Sequence, residues 1–258
     1  MNRLLGFVSI AFGWTWTLWG IASVSHPDRP WRNALVALGG AGPALAASIV
    51  STESLGDLWT THWHLDQLSP SIVARVTLIP LIACWIAGTF TWGFRMAPLK
   101  QAVDPYPAGL SPISLFVVSF AASPFLVLEE LGWRVFLWPA LQAAPFNMAP
   151  LFAGAVVGVF WALWHAPLFW PGPVPSRPAH LLAAETPALV PRRLVAYIAA
   201  LAIASTLLVA VGAAQSLTTA LLFHASFNSA FVLWKPSRLQ NVMEQAAVCL
   251  SIALIVAF

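Results

Sequence analysis

Apolar residues are grouped along this chain in long blocks. Eight of them, each roughly 20 residues long, run at about 4–24, 34–52, 71–93, 112–137, 149–170, 194–213, 216–234 and 240–258. A helix of that length, rising 1.5 Å per residue, crosses the hydrocarbon core of a bilayer. The pattern predicts an all-α, polytopic membrane protein of about eight transmembrane helices. Most of the chain is span, and little remains for a soluble domain.

Proline and charge mark the connections. Pro171 to Pro191 (PGPVPSRPAHLLAAETPALVP) holds six prolines and is predicted to be a loop with at most a short interfacial helix. Thr52 to Pro70 reads as a polar loop carrying Glu53, Asp57, His62, His64 and Asp66, and Phe94 to Pro112 as another, with Arg95, Lys100 and Asp104. No internal repeat or low-complexity tract is visible.

Composition agrees with the blocks. Hydrophobic residues make up 59% of the chain and charged residues 8%, against about 25% charged in a soluble domain. The net charge of +3 comes without any block of Lys and Arg, so it argues for topology-setting charges and against nucleic acid as a partner. Cys84 and Cys249 fall within spans and read as reduced packing residues. The first block follows Arg3 but is longer than the apolar region of a signal peptide and contains three tryptophans, so it is predicted to be a retained helix. Positive charge sorts by side. Arg29, Arg32, Arg95, Lys100, Arg177, Arg192, Arg193, Lys235 and Arg238 fall in odd-numbered connections, against Arg3 and Arg75 opposite. Both termini are therefore expected outside, with the Pro-rich loop in the cytoplasm.

Charge within hydrocarbon costs about 2.5–3.5 kcal/mol per residue on insertion scales, so an ionisable residue at membrane depth points to function. The four aspartates, Glu53 and Glu185 lie in loops, and Glu244 lies near the start of the last block. Only Glu129, Glu130, Arg134, His165 and His224 are deep. Glu130 and Arg134, four residues apart, share a helix face and can pair. Glu129 is rotated about 100° away and can point elsewhere. His224 and Asn228 are again four apart, able either to donate to a developing oxyanion or to bond neighbouring helices together. His165 precedes Ala166 and Pro167, where its helix is expected to break. A structural reading, in which the group is a salt-bridged core, stands beside the chemical one, in which a carboxylate and a histidine share a water as general base.

These residues resemble the motifs of the CPBP family of intramembrane proteases, the CAAX prenyl endopeptidases with their bacterial, Abi-like relatives. EExxxR is matched by Glu129, Glu130 and Arg134, and HxxxN by His224 and Asn228. The family's FxxxH is matched at His165 with Trp161 in the aromatic position and the phenylalanine one place earlier, at Phe160. The resemblance covers roughly residues 112–234. The eight blocks divide into three N-terminal spans over 1–110, which match the family only as generic membrane segments, and a five-span catalytic core over 111–258. The resemblance implies an intramembrane active-site cavity in that core and residence in a membrane, the inner membrane for a bacterial relative. It implies that Glu129 and His165 activate a water that attacks a peptide bond, that His224 and Asn228 stabilise the oxyanion, and that Glu130 and Arg134 hold the site. The substrate implied is a peptide or lipidated peptide.

No cofactor is required by this scheme. A zinc ion held by Glu129, His165 and His224 is the alternative, although the HExxH spacing is absent. GxSxG is absent too, and no aspartate lies in a span, which removes the serine and aspartyl intramembrane chemistries. Two other classes stand against the protease: a non-proteolytic bacteriocin-immunity or scaffold protein, and a proton-coupled transporter, whose expected repeats are not seen. A straight fourth span from Ser111 would hold Glu129 far from His165, so the protease reading requires that the fourth helix begin deeper, that it bend near Ser123 and Pro124, or that the span limits differ from those above.

Overall fold

A computed structural model describes residues 2–25, 31–93, 123–169 and 190–233, together with 114, 117, 120 and 121. Among them the chain is helix and turn, with no strand. Expectations for the two loops at 94–112 and 171–189, the start of the fourth block, the last block and Cys249 lie outside the described residues, while Val190 and Pro191, expected at the end of the second loop, already belong to a helix.

The first block forms one helix, α1 (Asn2–Val24). The second, expected as a single span, is two helices, α2 (Trp31–Gly40) and α3 (Gly42–Val50), bent by 44°. Pro43 explains the break, because it has no N–H to return to the carbonyl four residues back, at Gly39. That carbonyl instead accepts a bond from the Thr15 hydroxyl of α1 at 2.6 Å. Arg32, expected in a connection, lies within α2, where it is buried and donates through Nε to the Ala22 carbonyl at 2.8 Å.

The polar segment 52–70 is also more ordered than a loop. It contains α4 (Leu55–Thr60), capped by Ser54, whose hydroxyl accepts from the Asp57 amide at 3.1 Å. After α5 (Pro70–Gly93) and the break in the described chain comes a segment of changing winding. Ser123–Leu126 is 3₁₀, Val127–Glu130 is α (α6), Leu131–Leu137 is π, and Trp138–Gln142 is α again (α7). Then follow α8 (Pro150–Trp164), a 3₁₀ turn at Ala166–Phe169, α9 (Val190–Ala210) and α10 (Leu217–Leu233).

α1, at Arg3–Val24, is long and apolar enough to cross a membrane, and counting each bent pair as one span raises the number to three among the described residues. Pro150–Trp164 and Tyr197–Ala210 are shorter apolar helices. α8 lies along α9, α10 along α5, and α1 against α2 and α3, while the α6–π segment is wedged between α3, α8 and α10. The close approaches at Gly158 and Gly132 need glycine. A Cβ at Gly158 of α8 would run into the Leu201 backbone of α9, and one at Gly132 of the π turn would run into Pro43 of α3. Small residues that let helix backbones meet are the usual device for packing helices where solvent exclusion supplies little drive.

Candidate active site

The change of winding after Ser123 bears on every polar group that follows. In the π turn the Trp138 amide bonds to the carbonyl five residues back, at Trp133, a geometry that often marks functional positions in helices. Trp133, Arg134 and Leu137 are buried there. Glu129 and Glu130 sit on the last α-helical turn before it, and their side chains diverge as a 100° step requires.

Glu130 is fully buried and has two partners. Arg134 Nε donates to its Oε2 at 3.1 Å, and His224 Nδ1, reaching from α10, donates to its Oε1 at 2.7 Å. The guanidinium extends the chain further, since Arg134 Nη1 donates to Ser205 Oγ of α9 at 2.7 Å. Ser205 in turn donates to the Gly154 carbonyl of α8 at 2.6 Å. A row of hydrogen bonds thus ties α10, α6, α9 and α8 together. Ser205 cannot be singled out from the sequence, because a lone serine in an apolar run looks like any other small packing residue.

Glu129 has a different partner. The indole N–H of Trp161 on α8 donates to its Oε2 at 2.8 Å. Trp161 also places its ring 5.5 Å from the Arg134 guanidinium and meets the His224 ring edge-on at 4.7 Å. Phe160 turns the other way, against Phe12 of α1 at 6.4 Å. Trp161, then, is the aromatic residue that faces this cluster.

His165 caps the C-terminus of α8, and the helix ends at Trp164 just ahead of Pro167, as the sequence leads one to expect. Its Nδ1 donates to the Trp161 carbonyl at 2.8 Å. A carbonyl can only accept, so the ring proton is on Nδ1 and the neutral ring keeps a lone pair on Nε2. Aromatic rings surround it: Trp164 at 4.6 Å, Tyr197 at 5.6 Å and Trp19 at 5.9 Å. Trp164 is itself held by α1, its indole N–H donating to Thr15 Oγ1 at 2.8 Å and its carbonyl accepting from Trp16 at 3.0 Å. The N-terminal helices thus form part of the histidine's surroundings.

Five of the six residues singled out in the sequence are brought together, Glu129 and His165 through Trp161 and the rest through Glu130. The sixth, Asn228, is half-buried one turn beyond His224 and makes no hydrogen bond among the described residues. Among those residues no three His, Cys, Asp or Glu side chains are grouped so that they could hold a metal ion. Glu129, His165 and His224 therefore do not form the three-ligand set that zinc takes at a catalytic site.

No curated protein matches this chain. The family described as type II CAAX prenyl endopeptidase Rce1-like matches it over residues 109–230, the stretch that carries EExxxR, His165, His224 and Asn228. Over residues 109–230, just under half of its length, the chain is similar to the Rce1-like type II CAAX prenyl endopeptidases.

Proposed function

We propose that this chain is an integral, multi-pass membrane endopeptidase that hydrolyses a peptide bond in a prenylated, CAAX-type peptide. Residues 111–258 form its catalytic core of five spans, and residues 1–110 form three supporting spans. The observation that carries the reading is the convergence of Glu129, His165 and His224 on one residue, Trp161. Isolated structural ion pairs give no reason for a second glutamate beside them that has no ion-pair partner among the described residues.

Glu129, with one oxygen held by Trp161 and the other unbonded among the described residues, is the group that takes a proton from water. His165, with its lone pair on Nε2, shares that water. The water oxygen forms a bond to the scissile carbonyl carbon and the carbonyl oxygen becomes an oxyanion. His224, when protonated beside Glu130, presents Nε2–H to that oxyanion, and Asn228, one turn along the same face, offers its amide. The C–N bond then breaks, and the proton taken from water passes to the leaving amine. Glu130 and Arg134 keep His224 and the helices in place. The general base in this reading is a side chain, and among the described residues no three His, Cys, Asp or Glu side chains are grouped as a metal set.

The test is cleavage of farnesylated peptides ending in a CAAX sequence, beside unprenylated controls, by the purified full chain in lipid nanodiscs. Cleavage of the farnesylated peptides that disappears in Glu129→Gln is expected. Failure to cleave any peptide, or undiminished cleavage by Glu129→Gln, removes the proposal.

A further inference from the structure

We infer that Trp161 is a positioning residue for Glu129, its indole N–H fixing one carboxylate oxygen so that the other is presented to water. The inference rests on the endopeptidase reading for its catalytic consequence, and on geometry for the contact itself. Trp161 is buried, yet its N–H points not at a backbone carbonyl but at the carboxylate of a neighbouring element, at 2.8 Å. The same residue packs against the Arg134 guanidinium and the His224 ring and offers its carbonyl to His165.

The chemistry explains why an indole stands here. A carboxylate is nearly two-fold about its last torsion, and without a donor its oxygens exchange freely. A single fixed donor ends that freedom, holds Oε2, and leaves Oε1 as the oxygen available to a proton. A base must lie within hydrogen-bond reach of the proton it removes, and small misplacements of a reacting group are costly. Phenylalanine, the residue of the family motif at this position, would fill much of the same space and contact the same rings, but it could not donate.

The obvious variant is Trp161→Phe, which keeps the ring and the backbone carbonyl and deletes the donor. With a farnesylated CAAX peptide as substrate, kcat is expected to fall about ten- to a hundredfold, the range for losing one hydrogen bond to a charged group, with KM within about twofold of wild type. A residue that merely packs would leave kcat unchanged when its shape is kept, so 3-benzothienylalanine at position 161, isosteric with tryptophan and lacking the N–H, is expected to reproduce the kcat loss. Unchanged kcat in the isostere, or a loss confined to KM, overturns the inference.

The contact has a second readout that needs no activity. In the full chain labelled with ¹⁵N-tryptophan, the indole cross-peak absent from Trp161→Phe is that of Trp161, and it is expected to move upfield in Glu129→Ala. If it stays, the hydrogen bond does not exist and the inference falls. If wild type cleaves no peptide while this peak moves, the endopeptidase reading fails and the positioning contact survives.

Discussion

His224 Nδ1 and Glu130 Oε1 are 2.7 Å apart, so a histidine on α10 and a glutamate 94 residues earlier form one buried unit. Arg134 completes it from the other carboxylate oxygen. The two adjacent glutamates consequently differ in kind, Glu130 being enclosed by two basic groups while Glu129 faces a single neutral donor.

Replacing the two glutamates should separate stability from chemistry. Glu130→Ala leaves Arg134 buried without its counter-ion and is expected to cost about 3–5 kcal/mol, as breaking a buried pair does. Glu129→Gln keeps an oxygen for Trp161 to bond, so it should unfold near the wild-type midpoint while kcat drops by about 10²–10⁴, the contribution of a general base. Detergent unfolding curves and peptide cleavage, measured side by side, check the pair.

Ser205→Ala removes the acceptor for Arg134 Nη1 and the donor to Gly154. A buried donor left unmade costs about 1–3 kcal/mol, and a loss of that size in the unfolding free energy is expected. If Ser205→Ala unfolds like wild type, Arg134 has another partner and the row of bonds joining α8 to α9 is not what holds the guanidinium.

Thr15 lies far from the glutamates in sequence but touches the residue next to His165. Its hydroxyl accepts from Trp164 and donates to the Gly39 carbonyl that Pro43 leaves open. Thr15→Val keeps the shape and deletes both bonds, so a destabilisation of about 1–3 kcal/mol is expected, with lowered cleavage at permissive temperature. Thr15→Ser should restore both.

Close packing of α8 on α9 depends on the missing side chain of Gly158. Gly158→Ala is expected to cost about 1–3 kcal/mol through overpacking, although alanine is the better helix former. A gain in stability would mean that the two helices lie further apart than described above.

Chelation addresses the water-activating group. With no three-ligand set of His, Cys, Asp or Glu among the described residues, cleavage is expected to persist in 1,10-phenanthroline and after dialysis against EDTA. Loss of cleavage that added zinc restores would assign the water to a metal.

Helical class, the choice of Glu129, Glu130, Arg134, His165 and His224 as the residues worth examining, and the pairing of Glu130 with Arg134 could all be reached from the sequence alone. Their physical basis is local: apolar run length, the price of charge among apolar neighbours, and the geometry of one helical turn. The break after Trp164 was legible for the same reason, because Pro167 acts on its own backbone. Three features needed the tertiary structure. Pro43 makes the second block two helices rather than one, a bend that becomes tolerable only because Thr15, on another helix, satisfies the freed Gly39 carbonyl. The π winding after Glu130 lies in a segment packed against α3, α8 and α10, long-range contacts that no propensity encodes. Trp161 gave no local sign of donating to a carboxylate, since an aromatic in an apolar run reads as core. Its partner, Glu129, is 32 residues away in sequence. Composition and spacing determine which groups the membrane interior must accommodate, and long-range packing alone decides which of them meet.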